Sequence, residues 1–124
     1  MDGIDLAQGM ERFNDLDVYL DVLRTFCLHT PALLEKIRNL SRDEAGIVLH
    51  DYAVIVHGIK GSCYGISANA HADEAALLEE AAKAGDKKQI IEKNDAFIEM
   101  MQSLLTSLDE LLKKAGSLNR EYPL

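Results

Sequence analysis

The chain has 124 residues, 48% of them apolar, with no tryptophan, two prolines, two cysteines and a formal net charge of −8. That length supports one domain with a core of its own and no need of staples, and the acidity excludes a nucleic-acid binder, which would carry a basic patch. No run approaches the ~18 consecutive apolar residues of a membrane span, and the acidic start Met1-Asp2-Gly3-Ile4-Asp5 lacks the basic and apolar regions of a signal peptide. The reading is therefore a soluble, cytoplasmic protein in which Cys27 and Cys63, at or near apolar faces, stay free thiols.

Residues 4–13 predict a short amphipathic helix through Ile4, Leu6, Met10 and Phe13, ending at Asn14. Asp15 suits the N-cap of a second helix. There Tyr19, Leu23, Phe26, Thr30, Leu33, Ile37 and Leu40 recur in alternating steps of four and three, the stripe of a bundle helix. Pro31 lies inside it and predicts a kink, not an end, because the period resumes in phase. Ser41-Arg42-Asp43-Glu44 has the form of a capping box and would open a third helix running to about Ser67. Ser67 or Asn69 would then cap a fourth, whose apolar side is mostly small: Ala70, Ala75, Leu77, Leu78, Ala81, Ala82 and Ala84, closed by Gly85. Such alanines allow close approach to the glycines of the third helix. A second capping box, Asp86-Lys87-Lys88-Gln89, starts a last helix with Ile90, Asn94, Phe97, Met101, Leu104, Leu108 and Leu111, widened by Ile91, Ile98, Leu105 and Leu112. Gly116 would stop it. The expected fold is all-α: an antiparallel up-down four-helix bundle with a short additional N-terminal helix, domain 1–116, and a flexible tail over 117–124.

The third helix carries the chemistry. Its apolar stripe runs from Val48 through Tyr52, Ile55, Ile59 and Cys63 to Ile66, and at about 100° per residue His57 points to the opposite side. The helical neighbours of His57 include Ala53 before it, Lys60 and Gly61 one turn after, and Tyr64 two turns on. Gly58, Gly61 and Gly65 each cost a helix interior roughly 0.8–1 kcal/mol against alanine. Close helix packing accounts for Gly58 and Gly65; Gly61, on the outer face, is better explained as clearance for a partner approaching the imidazole.

His57-x-Ile59-Lys60-Gly61-Ser62 resembles the signature of histidine-containing phosphotransfer (HPt) domains, relay modules that carry a phosphoryl group on a histidine between receiver-domain aspartates. The likeness extends to Gly3-Ile4-Asp5 with Met10-Glu11-Arg12-Phe13, to Tyr19-Leu20-x-x-Leu23-x-x-Phe26 with Pro31, and to Leu78 through Asp86, so it covers roughly residues 3–115. Ser67 departs from it, since the family usually has glycine ten residues after the histidine; a local change in the turn is expected there, with no loss of chemistry. The resemblance implies that His57 is the phosphoacceptor and that Lys60 stabilises the phosphate. It also implies a polar residue on the adjacent helix that holds Nδ1 and leaves Nε2 free. Counting 22 positions on from His57 without gaps reaches Glu79 for that role, against the plainer reading of Glu79 as one more surface glutamate.

The expected docking surface is Ala53, Gly61 and Tyr64 around His57, with His50 at the rim; His29 and His71 carry no signal. A metal pair of His50 and His57 is disfavoured, because an i, i+7 spacing does not converge on one ion as i, i+4 does. No P-loop, kinase glycine loop, metalloprotease His-Glu pair or di-iron Glu-x-x-His pair is present in the sequence. The chain would therefore be a carrier and not an enzyme, with no cofactor of its own. Mg²⁺ and the donor aspartate would belong to partner receiver domains of response regulators or hybrid kinases, met by a monomer. The competing reading is a non-catalytic adaptor that binds a receiver or kinase without carrying phosphate.

Overall fold

The computed structural model of the protein describes residues 3–120, with side chains from 3 to 115. Among them it is all-helical: α1 (Leu6–Phe13), α2 (Leu16–Leu40), a 3-10 turn at Glu44–Gly46, α3 (Leu49–Gly65), α4 (Asn69–Lys83) and α5 (Lys87–Arg120). Short polar side chains set several of the starts. Asp5 accepts from the Gln8 N–H to open α1, Asp15 from Asp17 and Val18 to open α2, and Asp86 from Gln89 to open α5.

The ends of α3 and α4 are built alike. Ala68 N–H donates to the Cys63 carbonyl and Ser67 N–H to Tyr64; Asp86 N–H donates to Ala81 and Gly85 N–H to Ala82. This paired reversal needs a left-handed residue at its pivot. At the end of α4 the pivot is Gly85, at φ 74°, and at the end of α3 it is Ser67, at φ 65°. Ser67 is also buried, with its hydroxyl unpartnered. The local change expected in this turn is not found: the reversal is the one made at Gly85, with a serine forced into a glycine's conformation.

Several boundaries differ from expectation. The Ser41 capping box does not form: Ser41 closes α2, its hydroxyl donating to the Ile37 carbonyl, while Asp43 caps only the 3-10 turn. The helix of His57 starts instead at Leu49, after Val48 and with no side-chain cap. Neither Ser67 nor Asn69 caps α4; Ala68 occupies that position, because Ser67 is committed to the reversal. The last helix does not stop at Gly116 but continues to Arg120. A lone glycine costs about 1 kcal/mol in a helix and ends one only when it turns left-handed. The stop expected at Gly116 is therefore corrected, and residues 121–124 of the tail expected over 117–124 lie outside the described residues.

The stripes converge on one core that includes Tyr19, Leu23, Ile37, Tyr52, Ile59, Ile90, Met101 and Leu108. α2 packs on α3 and α5, and α4 packs on the same two, while α1 lies against α2. On α3 the buried face is Tyr52, Val56, Ile59 and Cys63; Val56 replaces Val48, which is exposed, and Ile55 is only half-buried. On α4, Ala72, Ala75, Leu78, Ala81 and Ala82 are buried, whereas Ala70 and Leu77 face outward. Small residues on α4 let it lie close along α3, and this carries the 79–83 turn to the His57 side of the bundle. One polar cluster sits inside. Tyr52 donates to Asn94 Oδ1 at 2.6 Å, and Asn94 Nδ2 donates to Ser41 Oγ at 2.7 Å, tying α3, α5 and the end of α2 together. No described helix is long and apolar enough to cross a membrane.

Candidate functional site

The core of α3 fixes what stands on its other face. Burial of Tyr52, Val56, Ile59 and Cys63 turns His57 outward, with its side chain 65% exposed. The adjacent glycines keep the ring clear. A Cβ built at Gly58, Gly61 or Gly65 would meet nothing within 4 Å. Close packing against α4 therefore does not explain Gly58 and Gly65; all three border open space.

Glu79 comes to the same place from α4 and is not a surface glutamate: its side chain is only 6% exposed. One carboxylate oxygen lies 2.7 Å from His57 Nδ1, and the other accepts from Lys60 Nζ at 2.6 Å. The hydrogen bond from Lys60, that from His57 and both charges hold the Glu79 carboxyl down at about 2, against burial, which pulls the other way. An ionised carboxylate only accepts, so Nδ1 carries the proton and donates it. Nε2 is then the ring nitrogen left with a lone pair in the neutral imidazole of a mostly exposed side chain.

Lys83, one turn beyond Glu79, adds a third nitrogen: its Nζ is 3.4 Å from the oxygen that holds His57, and its side chain is 69% exposed. Sequence reasoning missed this residue. The signal was present, since an acid four residues before a lysine on a helix is the favourable order for a pair. With Glu79 ionised and both lysines charged, the cluster holds a surplus of one positive charge on a chain of net charge −8.

Lys60, expected to stabilise the phosphate, is bound to Glu79 with its side chain 25% exposed. His50 and Ala53 join His57, Glu79, Ala82 and Lys83 around a groove of about 370 Å³ that also takes in Leu49 and Val54. A second groove runs on from His50 and Val54 to Leu40 and Lys36. Tyr64 lies on the other side of Gly61, its hydroxyl donating to Asp73 at 2.8 Å and its carbonyl accepting from Arg12. The expected docking residues thus fall on two flanks of His57.

The other candidates are elsewhere. His71 is buried, its Nδ1 unpartnered and its Cε1 against Gly3, and burial lowers its pKa. Cys63 is buried with its thiol pushed up to about 12, which makes it inert, and Cys27 is a half-buried free thiol. Among the described residues no group of three or more histidine, cysteine or carboxylate side chains could hold a metal ion. Comparison of the chain with protein-family models, curated proteins and solved structures gives no match.

Proposed function

We propose that this chain is a histidine phosphocarrier of the HPt kind, an intermediate in a His–Asp phosphorelay of two-component signalling, with His57 as the phosphoacceptor. The observation that carries this reading is the polarised imidazole: a buried, ionised Glu79 takes Nδ1–H at 2.7 Å while the side chain as a whole stays mostly exposed. A histidine held this way is a nucleophile of fixed tautomer with an unobstructed in-line approach. The up-down order of α2 to α5, with α1 as an addition, belongs to the same reading.

The step is a displacement at phosphorus. The Nε2 lone pair forms a bond to the phosphorus of a receiver's aspartyl phosphate, the P–O bond to the aspartate breaks, and the carboxylate leaves with the electron pair. No proton has to move. The ring becomes a phosphoimidazolium whose positive charge sits against Glu79, and a second receiver's aspartate takes the group by the reverse displacement. Surplus positive charge from the lysines favours an approaching phosphoryl group. Mg²⁺ for the aspartyl phosphate is supplied by the receiver. The groove over Leu49, His50, Ala53 and Val54 gives such a partner an apolar seat beside the reacting nitrogen.

Incubation with phosphorylated receiver domains tests this directly. Acid-labile phosphate is expected on the wild type and none on His57→Gln, with both proteins equally helical. A His57→Gln variant that labels like the wild type ends the carrier reading. A wild type that binds receivers and never labels makes the chain the non-catalytic adaptor.

A further inference from the structure

The two lysines hold the same carboxylate on unequal terms. Lys60 is mostly buried and hydrogen-bonded at 2.6 Å, to the Glu79 oxygen that does not touch His57. Lys83 is mostly exposed, stands at 3.4 Å without a hydrogen bond, and shares the His57-lined groove, which Lys60 does not border. An ammonium that is exposed and loosely paired gives up little on leaving its partner, whereas a mostly buried ion pair that loses one member strands the other.

Resting on the carrier reading, we infer a division of labour: Lys60 is a positioning residue that fixes Glu79, and Lys83 is the cation that swings to the phosphoryl group on His57 Nε2. Glu79 keeps its bonds to Lys60 and to Nδ1–H throughout, so the ring does not turn as the charge arrives. The movement of Lys83 transfers one positive charge from the carboxylate to the phosphoryl oxygens, where the charge of the transition state collects. It makes and breaks no covalent bond. When the group departs, Lys83 returns to Glu79, so the empty and loaded sites differ in the partner of one flexible side chain. Lys60 acts on the reaction only through the carboxylate.

Phosphoramidate, a small donor that requires no docking protein, isolates this step. Nε2 attacks its phosphorus, and ammonia leaves with the P–N electron pair. Labelling of the full chain is followed by ³¹P NMR, and the ring tautomer of His57 by ¹⁵N NMR, for the wild type, Lys83→Gln, Lys83→Arg, Lys60→Gln and His57→Gln. Lys83→Gln should label about tenfold more slowly with the Nδ1–H tautomer unchanged, and Lys83→Arg should recover most of the rate. Lys60→Gln should shift the tautomer population, a change that mere loss of a surface charge does not produce. Wild-type labelling rates in Lys83→Gln overturn the inference, as does a tautomer shift in that variant equal to the one in Lys60→Gln. If the wild type takes no phosphate on His57, the carrier reading has failed and this one falls with it; a labelled wild type beside an unaffected Lys83→Gln sinks the division of labour alone.

Discussion

Two polar clusters hang on α3, five residues apart, and they differ in one respect. The cluster of Tyr52, Asn94 and Ser41 is closed: its donors and acceptors meet one another or the Ile37 carbonyl, inside the core. The cluster of His57, Glu79, Lys60 and Lys83 is bonded around one carboxylate but leaves the His57 side chain 65% exposed. A closed cluster can only hold elements in register, since nothing can reach it. An open one presents a group whose orientation is already fixed at no further entropic cost, which is what a reaction with a second protein requires.

The largest expected effect lies in the closed cluster. Asn94→Leu leaves the Tyr52 hydroxyl without an acceptor in the core, and a stranded buried polar group together with the lost bonds costs on the order of 3 kcal/mol. Urea unfolding should register that loss, while phosphoramidate labelling of the folded fraction stays at the wild-type rate. Because removing both partners is gentler than removing one, Tyr52→Phe in the same chain should return part of the stability. A neutral Asn94→Leu, or one that loses labelling while folded, breaks the separation between the two clusters.

The open cluster contributes stability as well, in a way that pH reveals. Glu79 titrates at about 2 in the folded chain, below the ordinary value of 4.5 that it regains on unfolding, so protons bind the unfolded state more readily. Its contribution is complete above about pH 4.5 and drains away as the pH falls toward 2. Allowing for solvent screening at the exposed Lys83, the wild type should lose on the order of 2 kcal/mol more than Glu79→Gln across that window. Parallel pH profiles for the two proteins would mean that the carboxylate is not held as its contacts imply.

How far the sequence revealed these clusters depends on the range of the interactions. The outward placement of His57 followed from helical period alone, since the stripe beneath it is long enough to fix the face. The stripes of α2 and α5 were legible for the same reason, and Asn94 lies in register within its own. Glu79 could be reached by counting, but its burial depends on how closely α4 lies against α3, and no local pattern encodes that. Capping was misread at Ser41 and Ser67 because each serine has two uses, one for the helix behind it and one for the helix ahead, and tertiary packing chose the former. Ser67 makes the choice measurable. The strain of its left-handed backbone and its unpartnered hydroxyl both disappear in Ser67→Gly, which should gain about 1 kcal/mol in thermal unfolding and label normally, provided the turn needs nothing from that side chain.

The smallest effect on stability bears most on the partner. At Gly61 an added Cβ meets open space, so Gly61→Ala should stabilise the chain by about 0.8 kcal/mol through helix propensity alone. Internal packing therefore gives no reason for glycine at a position one turn from His57, and on the proposed carrier reading the reason lies in what approaches from outside. A larger side chain separates the two accounts. Gly61→Glu should fold as well as Gly61→Ala and label with phosphoramidate at a similar rate, because a small donor passes beside the added carboxylate. Transfer from a phosphorylated receiver should fall by tenfold or more, since a protein surface cannot. Receiver transfer at the wild-type rate in Gly61→Glu would show that the partner comes from the groove side of His57 without crossing Gly61, and the surface over Leu49, Ala53 and Val54 would then hold the whole contact.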